Sequence, residues 1–199
     1  MINDKDQKTY SLEALREGDR AEFARLVEEY SPMIYRLGLK MLNNPQDAED
    51  ILQETFIKAY KHIGKFDGRS SVSTWLYRIA TNESLMSLRK KRPDTISFDV
   101  PSIYESEPQE PLQIVDWCCL PEDEFLSAES RMRLDEAAEN LPDSLRVVFV
   151  LRDIEGLSTR ETAAVLDISE MAVKTRLSRA RLRLREDLST YFGKLVEKG

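Results

Sequence analysis

The chain has very few of the residues that build metal centres or cross-linked folds. Among 199 residues there are only two cysteines, adjacent at Cys118 and Cys119, and a single histidine, His62. Two neighbouring cysteines make no disulfide framework, which indicates a reducing compartment. A zinc site of the His/Cys type would need ligands that the chain barely has. With 41% hydrophobic and 33% charged residues, collagen-like, disulfide-dense and wholly disordered classes are excluded.

Long hydrophobic runs are also missing. The longest unbroken aliphatic or aromatic run spans residues 147–151, whereas a membrane-spanning helix needs about 20 apolar residues. The first eight residues are polar and contain no apolar signal core. We therefore expect a soluble, cytoplasmic protein that does not insert into a membrane by itself.

Basic charge is missing from one segment, and this accounts for the net charge of −7. Residues 94–130 carry ten acidic and no basic side chains, whereas residues 1–93 carry 16 basic and 14 acidic and residues 131–199 carry 13 and 12. The acidic segment holds four prolines and lacks a sustained helical period. We predict a linker between two helical modules, so the acidic pI does not exclude a nucleic-acid partner.

The N-terminal module shows three helical patterns. Apolar residues recur at steps of three and four from Phe23 to Met41, with Pro32 as a candidate kink. Asn44-Pro45 is typical of a helix start, and the spacing predicts that the second helix buries Ala48, Ile51, Thr55, Ala59 and Ile63. For the third helix it predicts an inner face made of Val72, Trp75, Leu76, Ile79 and Met86.

Acidic side chains on the second helix have three interpretations. Asp47 and Asp50 lie in a first turn, where carboxylates offset the helix dipole by about 0.3–1 kcal/mol each. Together with Glu54 they could instead bind a metal or act as an acid–base pair. The sequence supplies no nucleophile, nearby histidine or phosphate-binding loop, so the interpretation as a small helical enzyme is weak.

The C-terminal module has the layout of a helix-turn-helix. Ser158 and Glu161 have the spacing of a capping box, and Asp167-Ile168-Ser169 makes a three-residue turn before a second helix from Glu170. Aspartate at position 167 tolerates the left-handed conformation that such a turn requires. A helix-turn-helix places its second helix in the major groove of DNA.

That second helix is divided into an apolar and a basic face. Val173, Leu177, Ala180 and Leu184 share one face, and residues 174–185 contain six basic side chains and no acidic one. Such a face can neutralise phosphates and contact base edges. A merely solvated helix would explain the charge, but neither the missing acids nor the preceding turn.

Both modules together resemble a bacterial RNA polymerase sigma factor of the sigma-70 family, extracytoplasmic-function group. Residues 47–60 resemble the region 2 helix that binds the polymerase clamp, residues 66–82 resemble the loop and helix that melt and read the −10 element, and residues 141–186 resemble region 4, which reads the −35 element. The resemblance implies an all-α fold of two small helical domains joined by an acidic linker. We expect a lead-in at 1–19, region 2 at 20–93, the linker at 94–130, region 4 at 131–188 and a tail at 189–199.

The resemblance also implies roles for individual residues. The core-polymerase face comprises Asp47, Asp50, Gln53 and Glu54. Contacts with the −10 element fall to Phe66, Arg69, Ser70, Ser71, Arg78 and Asn82. Contacts with the −35 element fall to Lys174, Thr175, Arg176, Ser178, Arg179 and Arg181. Expected partners are the clamp helices and flap of core RNA polymerase, promoter DNA and an anti-sigma factor. No enzymatic activity, cofactor or metal is implied.

An ordinary helix-turn-helix regulator is the main alternative. It would account for residues 141–185 but would leave residues 47–60 without a task, and the chain shows no clear dimerisation helix. For the linker, the resemblance suggests that its acidic groups mimic nucleic acid inside the polymerase. The Cys118-Cys119 pair has no counterpart in the family pattern.

Overall fold

The computed structural model describes residues 10–91 and 128–196, and within these ranges all regular structure is helical. Most of the acidic linker, including Cys118 and Cys119, lies outside the described residues. The predicted all-α class with two helical modules is confirmed. In the part of the chain that is described, no helix combines the length and the apolar character needed to cross a membrane.

The N-terminal module consists of four α-helices. These are α1 (Leu12–Arg16), α2 (Arg20–Leu42), α3 (Pro45–His62) and α4 (Val72–Lys91), with a 3₁₀ turn at Ile63–Lys65 after α3. Helix α2 runs without a break through Pro32, which is exposed. Its apolar stripe is fully buried at Leu26, Ile34, Leu37 and Met41, as the spacing predicts.

Helices α2 and α3 cross closely. The crossing point is at Gly38, where an added Cβ would lie 3.2 Å from the Cα of Ala48. Asn44 caps α3 by accepting a hydrogen bond from the Asp47 amide at 3.1 Å, and Pro45 occupies the first helical position. The predicted inner face of α3 is confirmed, since all five of its residues are buried.

Helix α4 buries a different stripe from the predicted one at its C-terminal end. Leu76, Ala80, Ser84 and Leu88 are buried at steps of four. The prediction that Met86 points inward is wrong, because its side chain is 57% exposed. At about 100° per residue, Met86 lies about 200° around the helix from Ser84 and therefore faces solvent.

The C-terminal module is built around the helix-turn-helix. It comprises α5 (Ala128–Glu139), α6 (Asp143–Phe149), a π-helical turn (Val150–Ile154), α7 (Thr159–Leu166) and α8 (Glu170–Val196). The capping box of Ser158 and Glu161 is present. Asp167 adopts the left-handed conformation with φ of 56°, and Ser169 accepts a hydrogen bond from the Ala172 amide at 3.1 Å. The predicted helix-turn-helix is thus confirmed.

Removing the capping hydroxyl should destabilise the C-terminal module modestly. In Ser158→Ala the Glu161 amide loses its acceptor, now 3.2 Å away, and caps of this kind contribute about 1 kcal/mol. We expect a decrease of about 1 kcal/mol in the free energy of unfolding, measured by urea denaturation. Ser189→Ala near the end of α8 is the control, because its hydroxyl bonds only a carbonyl at the exposed surface. An unchanged midpoint for Ser158→Ala would contradict the role of the cap.

The two modules pack against each other in the described structure. Helix α4 lies against α7, and α2 contacts the π-helical turn. One cluster of buried apolar side chains extends over both modules, from Tyr10 to Leu177. A smaller cluster, which includes Leu145 and Leu184, lies within the C-terminal module.

Candidate polymerase and nucleic-acid interfaces

The predicted polymerase-binding residues lie on the outer side of α3. Asp50, Gln53 and Glu54 are exposed and, at spacings of three and four, share one face. Asp47 differs from them, because its carboxylate is half-buried and forms an ion pair with Lys91 at the end of α4. Three of the four predicted residues are therefore available to a partner.

An apolar groove of about 650 Å³ runs between α2 and α3 beside this acidic face. Ile57 and Tyr60 line it and are 46% and 43% exposed. The Tyr60 ring packs edge-on against Phe23 with 4.9 Å between ring centroids. Gln53 belongs both to the groove lining and to the acidic face. We call Asp50, Gln53, Glu54, Ile57 and Tyr60 the α3 surface.

The groove was not predicted from the sequence, although a signal for it exists. Ile57 and Tyr60 do not belong to the apolar stripe that α3 buries, so apolar residues occur on both sides of this helix. A helix that is apolar beyond its core-facing stripe has a second apolar contact to make.

The loop before α4 places its predicted residues in different environments. Phe66 is buried and packs against Trp75, with 5.2 Å between ring centroids. Its carbonyl accepts a hydrogen bond from Arg16 Nε at 2.9 Å. Arg69 and Ser70 are exposed, and Arg69 pairs with Asp67 at 2.8 Å. Buried Phe66 thus anchors the loop to the core, while Arg69 and Ser70 face solvent.

The remaining predicted residues of this group lie on or next to α4. Ser71 is half-buried and accepts a hydrogen bond from the Thr74 amide at 3.1 Å, which makes it the cap of the helix. Arg78 and Asn82 are exposed one turn apart on the same face. Arg78 Nη2 lies 3.4 Å from Asp167 Oδ1 in the turn of the helix-turn-helix.

The recognition helix α8 presents the predicted basic face. Lys174, Thr175 and Arg179 are exposed, whereas Ser178 and Arg176 are half-buried. Desolvation by burial lowers the pKa of the Arg176 guanidinium from its usual value. The opposite face is buried at the four apolar positions that the spacing predicts.

Arg181 has a partner inside its own module. Its Nε and Nη2 donate to the two carboxylate oxygens of Asp153 at 2.9 and 2.8 Å. This bidentate pair ties α8 to the π-helical turn and orients the guanidinium. Arg181 thus stabilises the module as well as contributing to its positive face.

No metal-binding arrangement is found in residues 10–91 and 128–196, where no three His, Cys, Asp or Glu side chains come together in a way that could hold an ion.

Comparison with known proteins assigns the family. Residues 26–93 match the model of sigma-70 region 2, and residues 131–184 match that of sigma-70 region 4. The chain is 41% identical over 183 residues to the ECF RNA polymerase sigma factor SigW of Bacillus subtilis, covering 89% of this chain and 94% of that protein. The chain belongs to the extracytoplasmic-function sigma factors. It is also 36% identical over 172 residues to the ECF RNA polymerase sigma-E factor of Escherichia coli K12, covering 85% and 88%.

Two solved structures have the same fold as this chain. RpoE of Bartonella quintana, crystallised with the anti-sigma factor NepR, superposes with a TM-score of 0.60 at 26% identity, over 84% of this chain and 96% of RpoE. CnrH in complex with the cytosolic domain of CnrY gives a TM-score of 0.64 at 24% identity, over 90% and 95%. In both cases the likeness spans both helical modules.

The chain is therefore an alternative sigma factor, a transcription initiation factor. The ordinary helix-turn-helix regulator is therefore set aside, because the region 2 match accounts for the N-terminal module that this alternative left without a task.

Proposed function

We propose that the sigma factor docks on core RNA polymerase through the α3 surface. The main support for this proposal is that the apolar groove with exposed Ile57 and Tyr60 lies directly beside exposed Asp50 and Glu54. Buried apolar contact provides affinity, while the flanking carboxylates select a basic partner and set its orientation. Helix α3 is also the segment that resembles the clamp-binding helix of the family. Asp47 contributes less to docking, because its carboxylate already pairs with Lys91.

The same proposal assigns promoter DNA to two surfaces. Arg69, Ser70, Arg78 and Asn82 are exposed on the loop and on α4, where they suit an unpaired strand of the −10 element. Phe66 and Ser71 hold that loop and the start of α4 in place from the buried side. On α8, Lys174, Thr175, Ser178 and Arg179 face the bases of the −35 element, and Arg176 and Arg181 face phosphates.

Other properties follow from the same assignment. Region 2 would comprise residues 20–93 and region 4 residues 131–188, with the acidic linker between them. One similar solved structure, RpoE of Bartonella quintana, is a sigma factor bound to an anti-sigma factor, and we propose an anti-sigma factor as a further partner here. The protein would act in the cytoplasm, without enzymatic activity or cofactor of its own.

Reversing two charges on the α3 surface should abolish stable docking. In Asp50→Arg/Glu54→Arg, basic groups replace the carboxylates that face the basic partner, and like charges across an interface cost several kcal/mol. We expect an increase in Kd for core polymerase of about 100-fold or more. The measurement is co-elution with bacterial core polymerase on a sizing column, followed by fluorescence titration.

The matched control reverses two acids with the same spacing elsewhere. Glu13 and Glu17 are exposed and also lie four residues apart, so Glu13→Arg/Glu17→Arg changes net charge equally. This control should bind core polymerase as the wild type does. If both variants lose core binding equally, the effect is one of net charge alone. If neither variant loses core binding, the α3 surface is not the docking site.

A charge inside the groove should weaken docking without unfolding the protein. Ile57 is 46% exposed in the free chain, so Ile57→Asp changes stability little, yet any partner covering the groove would have to bury the new carboxylate unpaired. We expect at least about a tenfold rise in Kd for core polymerase with an unchanged Tm. The same substitution at exposed Met86, outside the groove, should leave core binding intact.

A further inference from the structure

The carboxylate of Glu155 joins the two modules. Glu155 follows the π-helical turn, and its side chain is completely buried. Arg36 of α2 donates to both of its oxygens, from Nε at 2.7 Å and from Nη2 at 2.6 Å. The hydroxyl of Tyr77 on α4 donates to Oε2 at 2.7 Å. All three donated hydrogen bonds come from the opposite module.

The groups around Glu155 are in the protonation states that these contacts need. Hydrogen bonding to Glu155 raises the pKa of Arg36, and desolvation by burial raises the pKa of the Tyr77 hydroxyl above its usual range. The tyrosine therefore stays a donor and the arginine stays a cation at neutral pH. A buried carboxylate that loses such partners is strongly unfavourable, whereas in water it would be solvated.

Three smaller contacts connect the same two modules. Lys40 pairs with Asp135 at 2.5 Å, and the buried Arg146 donates to the carbonyl of Met41 at 2.9 Å. Arg78, which belongs to the proposed −10 surface, pairs with Asp167 of the helix-turn-helix. The packed state thus brings one DNA-binding surface against the turn that orients the other.

A promoter requires a different arrangement. Two turns of duplex separate surfaces by about 70 Å, whereas here Arg78 and Asp167 are 3.4 Å apart. The chain cannot contact both promoter elements while α4 and α7 remain packed. The 36 residues between the end of α4 and the start of α5 would span roughly 120–130 Å when extended, so they permit separation of the modules.

We propose that Glu155 is the latch of a closed state of the free sigma factor, in which the chain cannot bind a promoter. Arg36 and Tyr77 are the groups on the N-terminal module that hold the Glu155 carboxylate by donating hydrogen bonds to it. Opening transfers the Glu155 carboxylate to water and frees Arg78 for DNA. The closed state itself follows from the contacts of the free chain, and only its inhibitory effect rests on the proposed function.

The test measures the distance between modules in the full-length chain. Donor and acceptor dyes are attached at two exposed positions by Glu28→Cys and Ala164→Cys, in a background where Cys118 and Cys119 are replaced by serine. Single-molecule energy transfer is recorded without polymerase. The wild-type latch should give one high-transfer population.

Two variants break the latch from opposite sides. Glu155→Arg places a cation against Arg36, and Arg36→Glu, at a side chain that is 52% exposed, places two carboxylates together. Each should move the majority of molecules to low transfer, a shift of at least about tenfold in the open-to-closed ratio. Glu136→Arg, at an exposed acid within the C-terminal module, should change nothing. High transfer retained in Arg36→Glu would overturn the latch, as would low transfer in the wild type.

A second arm separates the latch from its proposed effect. Core polymerase with a promoter duplex should convert the wild-type chain from high to low transfer. If the free-chain variants open as expected but the polymerase complex keeps high transfer, the inhibitory role and the proposed promoter surfaces fail, while the contact itself stands.

Discussion

Replacing Arg146 with methionine should lower the free energy of unfolding of the C-terminal module by about 2–4 kcal/mol. The guanidinium is only 3% exposed, so water cannot reach most of its N–H groups. It donates instead to the main-chain carbonyls of Met41, Glu139 and Leu141. Methionine fills much of the same volume but leaves these acceptors without their donor in a dry environment.

The same substitution should affect both modules, because Met41 lies near the end of α2 whereas Glu139 ends α5. Urea denaturation gives the loss in stability, and hydrogen exchange should show faster exchange of the α6 amides. Arg160→Ala, at an exposed position on α7, should change stability by less than about 0.5 kcal/mol. A stable Arg146→Met protein with unchanged exchange would show that the carbonyls find other partners.

The helix-turn-helix could be predicted because its determinants are local. The capping box joins residues three apart, the left-handed turn is set by Asp167, and the buried stripe of α8 repeats at helical spacing. Each depends on side chains within one or two turns of one another, so the sequence alone contains the necessary information. The same holds for the start of α3 at Asn44-Pro45.

Residues whose role depends on distant partners could not be predicted. Glu155 contacts Arg36 across 119 residues of sequence, and Arg146 contacts the Met41 carbonyl across 105. In the sequence both look like ordinary surface charges, since burial of a polar group depends on which donors or acceptors the tertiary fold brings to it. Met86 shows the opposite error. It is apolar and was expected in the core, but the buried stripe of α4 runs through Ser84 and Leu88, so Met86 stays at the surface.

The predicted site residues differ in how free they are for a partner. Asp50, Glu54, Lys174 and Arg179 are exposed, whereas Arg181 is tied to Asp153. A charge that already has an intramolecular partner must give up that interaction before it binds another group. The exposed members are therefore the ones whose substitution should change binding most directly.

Removing two exposed cations from α8 should abolish recognition of the −35 element. Lys174 and Arg179 are exposed and lie outside the buried stripe of α8, and each good base contact contributes about 1–3 kcal/mol of discrimination. For Lys174→Ala/Arg179→Ala we expect the assembled holoenzyme to lose about 100-fold in affinity for a duplex that the wild type selects from a randomised pool. Affinity for a scrambled duplex should fall much less.

A phosphate contact should behave differently, and this difference tests the assignment on α8. Arg176→Ala should weaken binding to selected and scrambled duplexes alike and reduce the slope of log K against log salt by about one. Base-contacting residues change the preference between the two duplexes, because a lost hydrogen bond to a base edge matters only where that base is present. If Lys174→Ala/Arg179→Ala lowers both affinities equally, these two side chains contact the backbone, and base selection must come from Thr175 and Ser178.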